Sequence, residues 1–245
     1  MSKKKIELLI SPKNLEEAKV VIQHKSVKYI DCKNPNEGSL GANFPWIIKE
    51  MKKLIPQNSP QLLSATIGDF PNLPGTASLA ALGAAVSGAD IIKVGLKGPK
   101  NEEQAIILMK KVVKAVKDYN TDLKVVAAGY ADQSRMHTSP EFMAIPTIAA
   151  ESGSDIAMLD TYFKDGMNLF DFLNTTQLVQ FRNKAKDLNL DVALAGNLMK
   201  STISEIKKIQ PDLIGVRSVV CEGYDRTNGM IRSHLIKQLE EELFK

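Results

Sequence analysis

The sequence is poor in the residue types that hold small or specialised folds together. Of its 245 residues only two are cysteine, Cys32 and Cys221, and they form at most one disulfide bond and lack the spacing of a metal site. The three histidines show no HExxH or paired-histidine spacing, so we expect no bound metal ion. The single tryptophan, Trp46, follows a Phe-Pro pair at a predicted helix start, and we expect it to anchor packing. A disulfide or zinc scaffold is therefore excluded.

Long apolar runs are also missing. No window approaches the roughly 18 to 20 uninterrupted apolar residues of a membrane-spanning helix. The first twelve residues contain no apolar stretch of the length that a secretory signal needs. We therefore expect a cytoplasmic protein without a membrane partner. No low-complexity segment or linker divides the chain, which favours one domain over residues 1–245.

Neither positive nor negative charge is concentrated in one segment of the sequence. The net charge of +4 arises from 27 lysines and 5 arginines, which are spread along the chain among acidic residues. Nucleic-acid-binding surfaces usually gather arginines and stacking aromatics in one patch, and no such patch is visible. We expect no nucleic-acid partner. A mild positive field instead suits small anionic substrates such as sugar phosphates.

What the sequence does contain is a regular alternation of short apolar runs and helical patterns. Eight runs bounded by Gly, Pro or Asn predict strands at 6–11, 27–33, 62–68, 91–96, 124–130, 156–161, 191–196 and 213–218. The intervening patterns predict helices at 15–24, 44–54, 76–87, 101–118, 140–152, 175–188, 201–209 and 233–244. Eight such units in this length predict an α/β fold, a single-domain (β/α)8 TIM barrel.

A doubly wound open sheet is the alternative fold. It would need fewer strands, and its first strand is usually followed by a glycine-rich fingerprint. Here the first strand is followed by Ser-Pro-Lys-Asn at 11–14. The barrel is therefore the preferred prediction.

Two lysines interrupt strands that should be apolar. In a barrel the active site lies at the carboxyl ends of the strands. Lys93 stands inside the run IIKVGL, and Lys33 ends its strand two residues after Asp31, on the same face. Lysine is rarely fully buried unless it is paired, so Lys93 either forms a salt bridge to Asp31 or Asp160, or is a nucleophile that forms a Schiff base with a carbonyl. Spacing alone does not say which lysine is the nucleophile and which the proton acceptor.

Three acidic residues accompany these lysines at the strand ends. Asp160 closes the sixth strand and Lys164 follows in its loop. Asp160 either transfers protons or orients a lysine, or it only caps a turn or pairs with Lys164. Asp31 is a candidate for substrate contact. Asp69 is another, although its Gly-Asp-Phe-Pro context favours a turn residue.

The loops after the seventh and eighth strands are where such barrels frequently bind phosphate. Gly196, Arg217 and Ser218 are the candidates, and the loop 221–229 adds Gly223 and Arg226. The alternative is that these residues only form turns and solvated surface charge.

Several short sequence segments are specific enough to be compared with a known family. The segment DCKNPNEGSLGANFPW at 31–46 resembles the signature of the (5-formylfuran-3-yl)methyl phosphate synthase family, also called 4-(hydroxymethyl)-2-furancarboxaldehyde-phosphate synthase, of methanofuran biosynthesis. Further strings similar to that family are SATIGD at 64–69, IKVGL at 92–96, VAAGYAD at 126–132, AMLDT at 157–161, KDG at 164–166, ALAG at 193–196 and GVR at 215–217. The resemblance thus covers nearly the whole chain.

The resemblance implies a carbon–oxygen lyase that joins two glyceraldehyde 3-phosphate molecules with loss of phosphate and water. It implies that no cofactor is needed. The family's Schiff-base lysine falls on Lys33, its proton acceptor on Lys93, and its acidic residue and following lysine on Asp160 and Lys164. The loop 223–229 is looser than the family's Gly/Lys-rich version, which leaves the second phosphate contact undefined.

Two other functions stay open at this point. One is a different Schiff-base aldolase acting on sugar phosphates, and the other is a non-catalytic barrel that binds phosphorylated metabolites. Two strand-borne lysines favour an enzyme over the binding barrel. Self-association into a homo-oligomer is not decided by the sequence.

Overall fold

The strands close into a barrel. The computed structural model describes residues 5–244, and within them eight parallel strands pair in chain order while the first also pairs with the eighth. The strands are β1 Glu7–Ile10, β2 Val27–Cys32, β3 Leu62–Asp69, β4 Ile91–Gly95, β5 Lys124–Tyr130, β6 Ile156–Asp160, β7 Asp191–Leu194 and β8 Leu213–Val216. The helices are α1 Leu15–Ile22, α2 Pro45–Leu54, α3 Pro74–Val86, α4 Glu102–Tyr119, α5 Ile145–Ser152, α6 Thr175–Asp187, α7 Ile203–Ile209 and α8 Ser233–Phe244. The predicted (β/α)8 TIM barrel is confirmed.

Strand alternation separates two hydrophobic layers. Inside the barrel pack the side chains of one parity, among them Leu9, Tyr29, Ile91, Val126 and Met158. Side chains of the other parity pack outward against the helices in a larger shell that contains Cys32. Because Asp31 and Lys93 have the parity of the inner layer, their polar groups meet inside the barrel.

Three aspartates fix the amino-terminal ends of the strands by the same contact. Asp90, Asp155 and Asp212 each stand just before an even-numbered strand. Each accepts a hydrogen bond from a backbone N–H of the preceding strand, at 2.7 to 2.8 Å. Each also pairs with a lysine of the helix that leads into that preceding strand: Lys52 of α2, Lys117 of α4 and Lys186 of α6. These contacts satisfy donors at the end of the barrel opposite the site.

The ends of some elements differ from the prediction. Strands β7 and β8 stop two residues early, because Gly196 and Asn197 adopt positive φ values of 102° and 50° and Arg217 has a non-extended ψ of −64°. Helix α5 begins at Ile145 instead of residue 140, after a short 3-10 turn at Phe142–Ala144. The predicted phosphate residues therefore lie on loops rather than on strands.

Trp46 does not anchor the core, and that expectation is wrong. Its side chain is 62% exposed and stacks on the ring of Phe44, with centroids 4.8 Å apart. Ile48 and Met51 supply the buried face of α2 instead. None of the helices in residues 5–244 has the length and apolarity needed to cross a bilayer.

Close packing between β5 and α5 gives a prediction for stability. A Cβ at Gly129 would lie closer than van der Waals contact to the buried side chain of Ile145, whereas a Cβ at Gly83, inside α3, would meet no atom within 4 Å. We expect Gly129→Ala to lower the free energy of unfolding by about 1 to 3 kcal/mol because of overpacking. Gly83→Ala, the matched control, should raise it by roughly 0.5 to 1 kcal/mol. Urea denaturation measures both, and equal effects would contradict the packing described.

Candidate active site

A cavity of about 30 Å³ lies at the carboxyl ends of the strands and gathers most of the predicted site residues. Eight of the nine candidates line it: Asp31, Lys33, Lys93, Asp160, Lys164, Gly196, Arg217 and Ser218. They come from five different strands or the loops that follow them. The barrel therefore brings together residues that are up to 187 positions apart in the sequence.

Lys93 forms a fully buried ion pair with Asp31. The Lys93 Nζ lies 2.6 Å from Oδ1 of Asp31, and the two side chains are 2% and 1% exposed. Ser11 donates from Oγ to the other carboxylate oxygen at 2.8 Å. Burial would raise the pKa of Asp31, but the charges of Lys93 and Lys33 outweigh it and the pKa is lowered. Asp31 is therefore an anion at neutral pH and Lys93 has one of the two partners that the sequence indicated.

A second ion pair lines the same cavity. The Lys164 Nζ is 2.7 Å from Oδ1 of Asp160, which also accepts the backbone N–H of Thr161 at 2.7 Å. Burial raises the pKa of Asp160, but the charges of Lys164 and Lys33 lower it more, to about 2. Lys164 is the more exposed partner, at 18% against 4% for Asp160. This pair connects the buried interior to the open side of the site.

Lys33 differs from the other two lysines because it has no salt-bridge partner within the described residues. Its side chain is 7% exposed. Burial lowers the pKa of Lys33 to about 7, while Asp160 and Asp31 raise it and Lys164 and Lys93 lower it. The lowered pKa makes the neutral amine of Lys33 accessible near pH 7, and the neutral amine is the form that attacks a carbonyl.

The loop that carries Lys164 is held by a buried carboxylate. Asp132 is fully buried and accepts the backbone N–H groups of Tyr162 and Phe163 at 2.7 and 2.9 Å. These are the two residues directly before Lys164. The sequence analysis did not select Asp132, although its position at the end of the fifth strand is a usable signal.

Arg217 reaches the cavity wall with most of its donors engaged by the protein, in four hydrogen bonds. It donates from Nη1 to the backbone oxygen of Ser11 at 2.8 Å and to Glu17 at 2.7 Å, and from Nε to the backbone oxygen of Arg226 at 2.9 Å. Its second terminal nitrogen donates to Glu17 at 3.2 Å. Phosphate binding by Arg217 stays a prediction, and the contacts observed are to the protein.

Gly196 and Ser218 form the backbone part of the predicted phosphate contact. Gly196 has a φ of 102°, and a Cβ there would lie 3.0 Å from the Thr161 side chain. A larger residue would therefore be strained and crowded at this point. The cavity wall also includes Asn197, the neighbour of Gly196 in the predicted phosphate loop, and Ser11, which was not predicted. Ser11 closes the first apolar run and was recognisable by that position.

Asp69 is the candidate that the structure does not bring to the cavity wall. Its carboxylate accepts a hydrogen bond from the Tyr130 hydroxyl and from the backbone N–H of Leu40, the latter at 3.4 Å. Burial raises the pKa of Asp69 to about 6. These contacts hold the segment after β2 against β3 and β5. The turn interpretation is wrong, because Asp69 is the last residue of β3 and pairs with Gly95 of β4. A substrate contact stays a prediction.

The arrangement provides amines, carboxylates and backbone donors for carbonyl chemistry. Among residues 5–244 no group of three or more His, Cys, Asp or Glu side chains is placed to hold a metal ion. An amine that is partly neutral at pH 7, in a cavity that two ion pairs also line, can form a covalent imine and pass protons to neighbouring groups.

Comparison with known sequences identifies relatives over almost the full length. The family model described as 4-HFC-P synthase matches residues 8–240. The (5-formylfuran-3-yl)methyl phosphate synthase of Methanocaldococcus jannaschii is 52% identical over 234 residues, which cover 96% of this chain and 98% of that protein. The enzyme of the same name from Archaeoglobus fulgidus is 50% identical over 236 residues, or 96% of this chain and 98% of the relative.

Comparison with solved structures identifies other barrels. The 3-hexulose-6-phosphate synthase of Salmonella typhimurium superposes with a TM-score of 0.65 at 16% identity and covers 98% of this chain and 99% of that one. KGPDC from Streptococcus mutans gives a TM-score of 0.64 at 13% identity, with coverage of 98% and 100%. At these identities the likeness concerns the fold alone.

The pKa of Lys33 predicts a pH-dependent reactivity. Acetic anhydride modifies neutral amines only, so the modification rate of Lys33 should rise with pH around a midpoint near 7. The negative charge of Asp160 stabilises the Lys33 ammonium, so Asp160→Asn should move the midpoint to lower pH. Peptide mass spectrometry measures both, with exposed Lys110 on α4 as the reference for reagent reactivity. A Lys33 profile that follows that of Lys110 throughout would contradict the assignment.

Proposed function

The chain belongs to the 4-HFC-P synthase family, and from this premise we propose that it makes (5-formylfuran-3-yl)methyl phosphate from two molecules of glyceraldehyde 3-phosphate through a Schiff base on Lys33. The chain is an enzyme, a carbon–oxygen lyase acting on phosphates. Atoms balance when two triose phosphates lose one phosphate and two water molecules, with no change in overall oxidation state. The observation that carries the proposal is a buried lysine amine with a pKa of about 7 and no ion-pair partner among residues 5–244, in a cavity that two lysine–aspartate pairs also line.

The first step is attack by the neutral Lys33 amine on the aldehyde of one triose phosphate. The carbonyl oxygen leaves as water and an iminium forms. Its positive charge withdraws electrons and acidifies the neighbouring carbon. The depressed pKa of Lys33 supports this role, because an ordinary lysine is almost fully protonated at pH 7.

The second step is removal of the proton from that carbon. We assign it to Lys93, whose ammonium must first release a proton through its carboxylate partner Asp31. The product is an enamine on Lys33. Ser11 keeps Asp31 oriented by its hydrogen bond at 2.8 Å, so the pair stays in place while its protonation changes.

The later steps need proton transfer at a second aldehyde and during the eliminations. Asp160 and Lys164 form the pair on the open side of the cavity, and we assign these transfers to them. Asp132 keeps Lys164 in position through the backbone of the two preceding residues. The backbone around Gly196 and Ser218 is our proposed contact for one substrate phosphate, which orients the triose against Lys33.

The setting of the reaction is part of the same proposal. We propose that residues 1–245 work as one catalytic domain in the cytoplasm, in methanofuran biosynthesis, with a triose phosphate as the small-molecule partner, no cofactor and no nucleic acid. Two observations support it: the eight described strands share one closed sheet, and Cys32 and Cys221 are both free and buried. Oligomeric state does not enter the argument.

Substitution of Lys33 tests the proposal. We expect Lys33→Ala to reduce furan formation by at least about 1,000-fold, because the covalent intermediate is lost. Lys33→Arg keeps the positive charge but has no amine that can form an imine, so it should be equally inactive. The assay follows the ultraviolet absorbance of the furan with glyceraldehyde 3-phosphate as sole substrate, and Lys110→Ala is the control. Turnover by either Lys33 variant near the unmodified rate would contradict the mechanism, and a product without furan absorbance would identify a different aldolase.

A further inference from the structure

A second and wider groove opens beside the inner cavity. It has a volume of about 670 Å³ and lies between the loops that follow β1, β2, β6 and β8. Three cationic side chains line it, Lys13, Lys164 and Arg226, and no aspartate or glutamate does. The groove therefore has the charge that an anionic group needs.

Arg226 lies on the boundary between the two spaces. It lines both the inner cavity and the groove, as does Lys164. Lys164 is paired with Asp160, whereas no salt bridge engages the Arg226 guanidinium within residues 5–244. Arg226 is also half-buried rather than extended into solvent. An arginine in this state is available to bind an incoming anion with two hydrogen bonds.

The backbone of Arg226 is fixed although its side chain is available. Arg217 donates a hydrogen bond to the Arg226 carbonyl at 2.9 Å, and Arg217 is itself held by two hydrogen bonds to the fully buried Glu17. Lys13 donates from Nζ to the carbonyl of Thr227, the residue after Arg226, at 2.9 Å. These contacts pre-organise the loop, so that little conformational entropy is lost when Arg226 binds a ligand.

The proposed reaction needs two places for phosphate. Two phosphate dianions repel each other, so the two triose phosphates cannot place their phosphates at one point. If the first phosphate lies near Gly196 and Ser218, the second triose must bring its aldehyde to the enamine carbon on Lys33 while its own phosphate stays outside the inner cavity. Arg226 stands where such a substrate passes from one space into the other.

We propose that Arg226, assisted by Lys13, binds the phosphate of the second triose phosphate in the groove and thereby directs its aldehyde toward Lys33 and Lys164. This inference rests on the proposed function and adds the substrate subsite that it leaves unassigned. Arg217 positions the loop of Arg226 through its hydrogen bond to the Arg226 carbonyl.

The test separates the two substrate molecules by two measurements on the same enzyme. Borohydride trapping of glyceraldehyde 3-phosphate on Lys33 reports binding of the first molecule, and furan absorbance reports use of both. We expect Arg226→Gln to leave the half-saturating concentration for trapping within about twofold, and to raise that for furan formation by about 10- to 100-fold. Arg226→Lys should recover part of the loss. Lys13→Gln should act in the same direction with a smaller effect.

The matched control is Arg232→Gln, since Arg232 pairs with Glu222 at the surface, is about half exposed and lines neither space. Unchanged furan formation in Arg226→Gln would overturn the inference. So would an equal loss of trapping and turnover, because Arg226 would then serve the first molecule. If the unmodified enzyme gave no Lys33 adduct, the proposed function would fail before Arg226 was tested, so the two failures are distinguishable.

Discussion

The site depends on how three lysines and two aspartates divide their charge inside the barrel. Burying a lysine is costly unless an anion accompanies it. Two of the lysines, Lys93 and Lys164, have such a partner at 2.6 and 2.7 Å, and the third, Lys33, has none in the part of the chain that the structure describes. Because both carboxylates are already paired, their attraction for Lys33 is largely offset by Lys93 and Lys164, and burial decides its pKa. The same five side chains thus supply two stable ion pairs and one reactive amine.

The barrel maintains this arrangement by holding the charged residues on stiff elements. Strand alternation points Asp31 and Lys93 inward while Cys32 joins the outer shell. Aspartates at the opposite end of the barrel fix the strand starts. At the active end, buried carboxylates act on loops: Asp132 holds the backbone before Lys164, and Glu17 holds Arg217 and through it the loop of Arg226. The loops at the active end therefore carry residues whose backbones are anchored by buried side chains.

Much of the barrel and of the candidate site could be predicted, because the sequence patterns that indicate them lie within single strands. A lysine inside IIKVGL contradicts its apolar context, and alternation within one strand places Asp31 and Lys33 on one face. The role of Arg217 was not predictable in the same way, since its partner Glu17 is 200 positions away and lies on a helix. Asp69 likewise bonds to Tyr130, 61 positions away. The packing role expected of Trp46 was wrong. Its Phe-Pro context suits a buried anchor, but its ring stacks on Phe44 at the surface. Long-range pairing is what sequence patterns do not report.

The central claim is that Lys33, and not Lys93, is the covalent nucleophile. Borohydride reduction in the presence of glyceraldehyde 3-phosphate, followed by peptide mass mapping, tests it most directly. The account predicts a triose phosphate adduct on the peptide that contains Lys33 and none on the peptide that contains Lys93. An adduct on Lys93, or no adduct from an enzyme that binds the substrate and turns it over, would contradict it.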